Sequence, residues 1–142
     1  MNKLTQNKLL DILVIEDNVD DVFLIELAIK KANINSNISV VSNGEEGISY
    51  LTKLTNEKRK LPNLILLDIN LPKITGLEVL KKIKSSELIK SIPVVVFTSS
   101  DSPSDMNYCH QNGADFYIRK PNNINGFKEI MKCINENYYR VK

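Results

Sequence analysis

The chain has 142 residues, 42% hydrophobic and 25% charged, which fits one globular domain and excludes a disordered or fibrous chain. Nineteen basic residues are scattered among seventeen acidic ones for a formal net charge of +2, so no dense basic stripe marks a nucleic-acid binder. No apolar run approaches the roughly 18 residues of a membrane span, and the start, with Asn2, Lys3, Gln6, Asn7 and Lys8, has no apolar signal region, so a cytoplasmic location with no membrane partner is expected.

In chain order, the first apolar run is Asp11 to Ile15, continuous rather than alternating, as in a strand buried on both faces. Helical spacing begins near Val19, where Leu24, Ile25, Ala28 and Ile29 form a core stripe. Phe23 and Leu27 project from the opposite side one turn apart, which suggests a partner-docking spot. A second strand, Ile38 to Val41, runs into Asn43-Gly44, and a second helix begins near Glu45. The stretch Lys53 to Lys60, ending in Lys58, Arg59 and Lys60 before Pro62, reads as a solvated loop.

The third strand, Leu64 to Leu67, is again continuously apolar, with Leu71-Pro72 and Gly76 after it and a helix from near Leu77. Pro93 to Phe97 is a fourth strand, followed by a helix from near Ser104 that Asn112-Gly113 closes. Phe116 to Ile118 is the fifth strand. A last helix from near Asn123 carries Phe127, Ile130, Met131, Ile134 and Tyr138 on one side. Cys109 and Cys133 have neither CxxC nor metal-ligand spacing and read as reduced thiols at helix positions. The regular alternation implies an α/β fold with a parallel sheet covered on both faces, the first, third and fourth strands central and the second and fifth at the edges.

Functional groups in such a sheet gather at the carboxyl ends of the strands. Strand one ends in Glu16 and Asp17, strand three in Asp68, strand four in Thr98 and Ser99, and strand five runs into Lys120. Three carboxylates held together repel one another unless a cation sits among them, and Mg²⁺ suits a few carboxylates together with a phosphate oxygen. With Lys120 alongside, such a pocket can neutralise a transferring phosphoryl group while a carboxylate attacks phosphorus in line. Asp68 is the expected nucleophile, because it terminates the central strand. Taken singly, each of these residues has an ordinary use: Asp68 as a turn former, Glu16 and Asp17 as first-turn acids, Thr98 as a cap, Lys120 as a solvated lysine. Their arrival at successive strand ends in the right order is what argues for a site.

The segments Val14-Ile15-Glu16-Asp17, Leu66 to Pro72 followed by Gly76, Val96-Phe97-Thr98-Ser99 and Tyr117-Ile118-Arg119-Lys120-Pro121 together resemble the receiver domain of two-component response regulators. The resemblance covers the chain from Asp11 to the last helix. It implies a flavodoxin-like three-layer sandwich of five parallel strands in the order 2-1-3-4-5, as a single receiver domain over 1–142 with its core within 10–139 and no output domain. It implies Asp68 as phosphoacceptor, Asp17 as a direct Mg²⁺ ligand and Glu16 as one directly or through water, alongside Asp68 and the Asn70 carbonyl, and Lys120 on the phosphoryl oxygens. Thr98 would move to hydrogen-bond the phosphate and Tyr117 would swing inward, so that phosphorylation changes a protein-binding surface. The expected phosphodonor is a sensor histidine kinase docking at Phe23 and Leu27. The stretch Lys53 to Pro62 and the ending Asn137-Tyr138-Tyr139 are similar to the small regulators paired with bacterial phytochromes, which pair through their last helix region and raise a homodimer as an expectation. Glu16 departs from the commoner Asp, and its longer arm alters the metal geometry.

Other readings compete with this one. An aspartate-based phosphatase would also use a Mg²⁺-supported aspartyl phosphate, but its usual second acid, two residues after the nucleophile, is here Asn70. A pseudo-receiver would signal by binding alone, without phosphorylation. A flavin carrier of similar fold would need a phosphate cradle, and the turn from Glu16 to Asp21 is acidic and free of glycine.

Overall fold

The continuous apolar runs pair side by side, because strands buried on both faces satisfy their backbones only against one another. The computed structural model of the protein describes residues 9–120 and Lys132. Its elements are β1 (Leu10–Ile15), α1 (Val19–Lys31), β2 (Ser36–Val41), α2 (Gly44–Asn56), β3 (Leu64–Leu67), α3 (Gly76–Ser85), β4 (Val94–Thr98), α4 (Pro103–Gln111) and β5 (Phe116–Arg119). The strands form one parallel sheet in the order β2-β1-β3-β4-β5, the order expected from the sequence. The last helix, and with it the expected dimer region, lies outside the described residues. No helix among the described residues is long and apolar enough to cross a membrane.

The two-residue period of a strand divides the core in two. Leu10, Ile12 and Val14 of β1, Leu64 and Leu66 of β3, and Val95 and Phe97 of β4 pack with Ile25, Ala28 and Ile29 of α1. Leu13 and Ile15, Ile65 and Leu67, and Val94 and Val96 pack on the other face with Leu51 of α2, Val79, Leu80 and Ile83 of α3, and Cys109 of α4. The central strands are almost wholly buried, whereas β2 and β5 are half-exposed edges.

Each described helix starts on a side-chain cap that accepts a backbone N–H of its first turn: Asn18 for α1, Asn43 for α2, Thr75 for α3 and Ser102 for α4. The expectation for Lys53 to Lys60 needs correction. Lys53 to Asn56 are the last turn of α2, anchored by buried Leu51 and Leu54, and the irregular connection begins at the C-cap Glu57. Asn43-Gly44 is a helix start rather than a free turn, and Gly44 is closely approached by Val79 and Ile74 of the α3 region. Gly113, with φ at 92°, closes α4 in the left-handed conformation that glycine adopts without strain.

Candidate functional site

Register brings the strand ends level. Ile15 pairs with Leu67, and Leu67 with Val96, so the residues that follow emerge side by side. Single backbone bonds carry the ladder one step further: Asp68 N–H donates to Ile15 O at 3.1 Å, and Lys120 N–H donates to Thr98 O at 2.7 Å. Glu16, Asp17, Asp68, Asn70, Ser99 and Lys120 therefore line one cleft, together with residues 18–21 of the first turn of α1.

The Lys120 ammonium lies at the centre. It is 2.7 Å from Glu16 Oε1, 2.7 Å from Asp21 Oδ2 and 3.1 Å from Asp68 Oδ2, with Glu16, Asp68 and Lys120 all largely buried. Its directed hydrogen bonds go to Asp21 and Asp68. Burial works to lower the lysine pKa, but the close contacts with the Asp21 and Glu16 carboxylates and the charge of Asp68 outweigh it and hold the group above the ordinary lysine range. The ammonium also sits 5.7 Å over the Phe97 ring, within cation–π range.

Glu16 is the strained member. It is 3% exposed, and burial raises its carboxyl pKa from 4.5 to about 7, with Asp68 adding to the rise and Lys120 opposing it. Oε2 accepts the Asn18 N–H at 3.1 Å. Oε1 is close to the Lys120 charge yet receives no directed hydrogen bond. Carboxylate oxygens of Glu16, Asp17 and Asp68 lie within 4.8 Å of one another. Three carboxylates held this close, with Glu16 and Asp68 buried, form a set of hard oxygen donors that fits a divalent cation.

Asp68 is held from below. Its Oδ1 accepts the Asn70 N–H at 3.2 Å, and the chain returns beneath it where Gly76 N–H donates to Ile69 O at 2.8 Å. A Cβ at Gly76 would overlap the Asp68 carbonyl oxygen and come within 2.6 Å of Ile69 Cα. The close approach that shapes this loop requires glycine.

The other expected site residues fall at differing distances from the cleft. Thr98 is fully buried at the end of β4, with its hydroxyl oxygen accepting the Ser100 N–H at 3.3 Å. Tyr117 is half-buried on β5 and its hydroxyl donates to the Ser100 carbonyl at 2.9 Å, while burial raises its pKa. Phe23 is 62% exposed on α1, with Leu27 half-buried a turn later. Asp21 escaped the sequence reading as a partner of Lys120. The available signal was its position three residues after the cap Asn18, in the helix turn that faces the strand ends.

The sequence pattern of the response regulator receiver domain matches residues 12–132. The chain belongs to that family. This receiver is 36% identical over 125 residues to a probable methanogenesis regulatory protein, FilR2 of Methanothrix harundinacea, covering 88% of this chain and 81% of that protein. It is 34% identical over 124 residues to the response regulator Rcp1 of Synechocystis, covering 87% of this chain and 82% of Rcp1. The Mn²⁺-bound form of Rcp1 superposes with a TM-score of 0.82 over 93% of this receiver and 96% of that chain, at 31% identity. The phosphorylated cyanobacterial phytochrome response regulator RcpA gives a TM-score of 0.82 at 36% identity, over 92% of this receiver and 94% of RcpA. The fold expected from the sequence is therefore the fold of the receiver family.

Proposed function

We propose that this receiver is a phosphorylation switch in which Asp68 accepts a phosphoryl group from a sensor histidine kinase. The observation that carries the reading is the convergence on one buried ammonium, Lys120, of Glu16 and Asp21 from the segment after β1 and of Asp68 from the end of β3. An Asp68 carboxylate oxygen attacks phosphorus in line. The bond from phosphorus to the kinase imidazole nitrogen breaks, and that nitrogen keeps the electron pair. Lys120 neutralises charge on the phosphoryl oxygens, and the Thr98 hydroxyl donates a hydrogen bond to one of them. Glu16, Asp17, Asp68 and the Asn70 carbonyl would hold Mg²⁺, which supplies further neutralisation of the phosphoryl group.

The occupied site then biases the loop between β4 and α4, whose Ser100 contacts both Thr98 and Tyr117, altering the surface offered to a protein partner. Phe23 and Leu27 serve as the kinase's docking spot, and the likeness to Rcp1 and RcpA supports a bacterial phytochrome as that kinase. Intact-mass spectrometry after incubation with acetyl phosphate tests the reading. One added phosphoryl group that requires both Mg²⁺ and Asp68, and is absent from Asp68→Asn, is the expected result. No adduct under any condition would leave a receiver that signals by binding alone, and steady turnover of a phosphomonoester would make it a phosphatase.

A further inference from the structure

The cap of α4 is built differently from that of α3. At α3, Thr75 and Glu78 exchange side-chain and backbone hydrogen bonds directly in a capping box. Helix α4 has the same arrangement of residue types, with Ser102 at the cap and Asp105 three residues on, and Ser102 Oγ accepts the Asp105 N–H at 3.4 Å. The shorter Asp105 side chain does not return to the Ser102 N–H. Instead it accepts a 2.7 Å hydrogen bond from Ser100 Oγ, and Ser100 Oγ in turn accepts the Ser102 N–H at 3.3 Å. The hydroxyl of a loop residue is thus inserted into the cap, held by a short bond to a charged acceptor.

Ser100 reaches the other way through its backbone. Its N–H donates to Thr98 Oγ1 at 3.3 Å, and its carbonyl accepts the Tyr117 hydroxyl at 2.9 Å. One residue ties the end of β4, the middle of β5 and the start of α4 into a single network. The Ser100 N–H takes one of the two lone pairs of Thr98 Oγ1, which leaves the hydroxyl proton free to be donated to an anionic ligand.

We propose that Asp105 is a positioning residue for Thr98, acting through Ser100 to hold the threonine so that its proton is presented to an incoming phosphoryl group. This inference rests on the phosphoacceptor reading of Asp68. Without the Asp105 carboxylate, Ser100 loses its strongest side-chain bond and the Thr98 hydroxyl is no longer pre-oriented. Asp105→Asn keeps an acceptor oxygen in place and retains the function, whereas Asp105→Ala does not.

The test follows phosphoryl uptake from acetyl phosphate, by intact mass, in Asp105→Ala, Asp105→Asn and Thr98→Ala proteins and in the Asp105→Ala, Thr98→Ala double variant. Asp105→Ala slows uptake by roughly three- to tenfold, the scale of a modest loss of orientation. Asp105→Asn stays near the parent rate, and Asp105→Ala adds nothing once Thr98 is alanine, since the two act as one unit. Equal slowing by Asp105→Ala in both backgrounds, or no slowing, overturns the proposal. A second arm does not depend on phosphorylation: amide resonances of Thr98, Ser100 and Tyr117 shift on Asp105→Ala in the unphosphorylated protein. Unchanged resonances overturn the proposal even if uptake falls. A parent protein that takes no phosphoryl group sinks the phosphoacceptor reading instead, and the resonance arm still decides whether Asp105 holds the loop.

Discussion

The Lys120 ammonium and the Asp21 carboxylate lie 2.7 Å apart although 99 residues separate them. With Glu16 and Asp68 at 2.7 and 3.1 Å, one positive charge stands against three negative ones in a largely buried cleft. Removing it leaves those carboxylates facing one another. Lys120→Met keeps the apolar stem and is expected to cost the metal-free protein about 3 kcal/mol, the scale of breaking a buried ion pair from one side. Mg²⁺ should restore much of that loss. Urea unfolding with and without Mg²⁺ measures both quantities, and an equal loss in the two conditions would contradict a shared cation site.

Glu16 makes the cleft sensitive to pH. Its folded-state pKa of about 7 stands above the ordinary 4.5, so between those values the folded protein keeps a proton that the unfolded chain has released. Its contribution to stability is fully present below the lower value and is lost as pH rises through the higher one. Cation binding needs the carboxylate, so Mg²⁺ affinity should rise by up to about tenfold per pH unit below about pH 7 and then level off. Metal titrations from about pH 5.5 to about pH 8, a span that lies above the ordinary carboxyl range, check this. Glu16→Gln should weaken binding and flatten the slope.

Gly76 admits no side chain. The atoms its Cβ would meet belong to the backbone of Asp68 and Ile69, which cannot rotate aside. Gly76→Ala is expected to cost about 2–3 kcal/mol, within the range of overpacking, and to displace Asp68 enough to slow phosphoryl uptake. Denaturant unfolding gives the first figure and intact mass the second. A fully stable variant with unchanged uptake would show that the loop yields.

A docking role for Phe23 and Leu27 predicts that kinase recognition can be separated from the chemistry at Asp68. Phe23 is 62% exposed and Leu27 half-buried, and neither is among the residues that line the acidic cleft. Replacing both with Ser should reduce transfer from the kinase by at least about tenfold, the scale of losing an interface anchor, while labelling by acetyl phosphate stays near the parent rate. Parallel loss of both reactions would mean that the substitutions damage the fold.

Which strands lie at the centre and which ends meet in the cleft were legible because continuous apolar runs such as Leu64 to Leu67 admit few other placements, while the strand order followed from the family resemblance. What escaped depends on tertiary packing. Lys53 to Asn56 reads as polar, yet α2 continues through it because Leu51 and Leu54 hold the helix down on the sheet. Asp21 looks like any first-turn acid until β5 delivers Lys120 beside it. Gly76 reads as a turn former, whereas its use is the contact it permits with Asp68. Asp105 likewise shows an ordinary capping pattern, and only the placement of Ser100 reveals that the cap is shared with a loop.

The alternation along β4 has one more effect. Val95 and Phe97 belong to one layer and Val96 to the other, and Thr98, the next residue, is fully buried at the end of that partition. The sheet stands as a bulkhead between two close-packed compartments. With Asp68 as phosphoacceptor, the hydrogen bonds that join Thr98, Ser100 and Tyr117 would offer a path around the rim of the sheet that leaves both compartments packed.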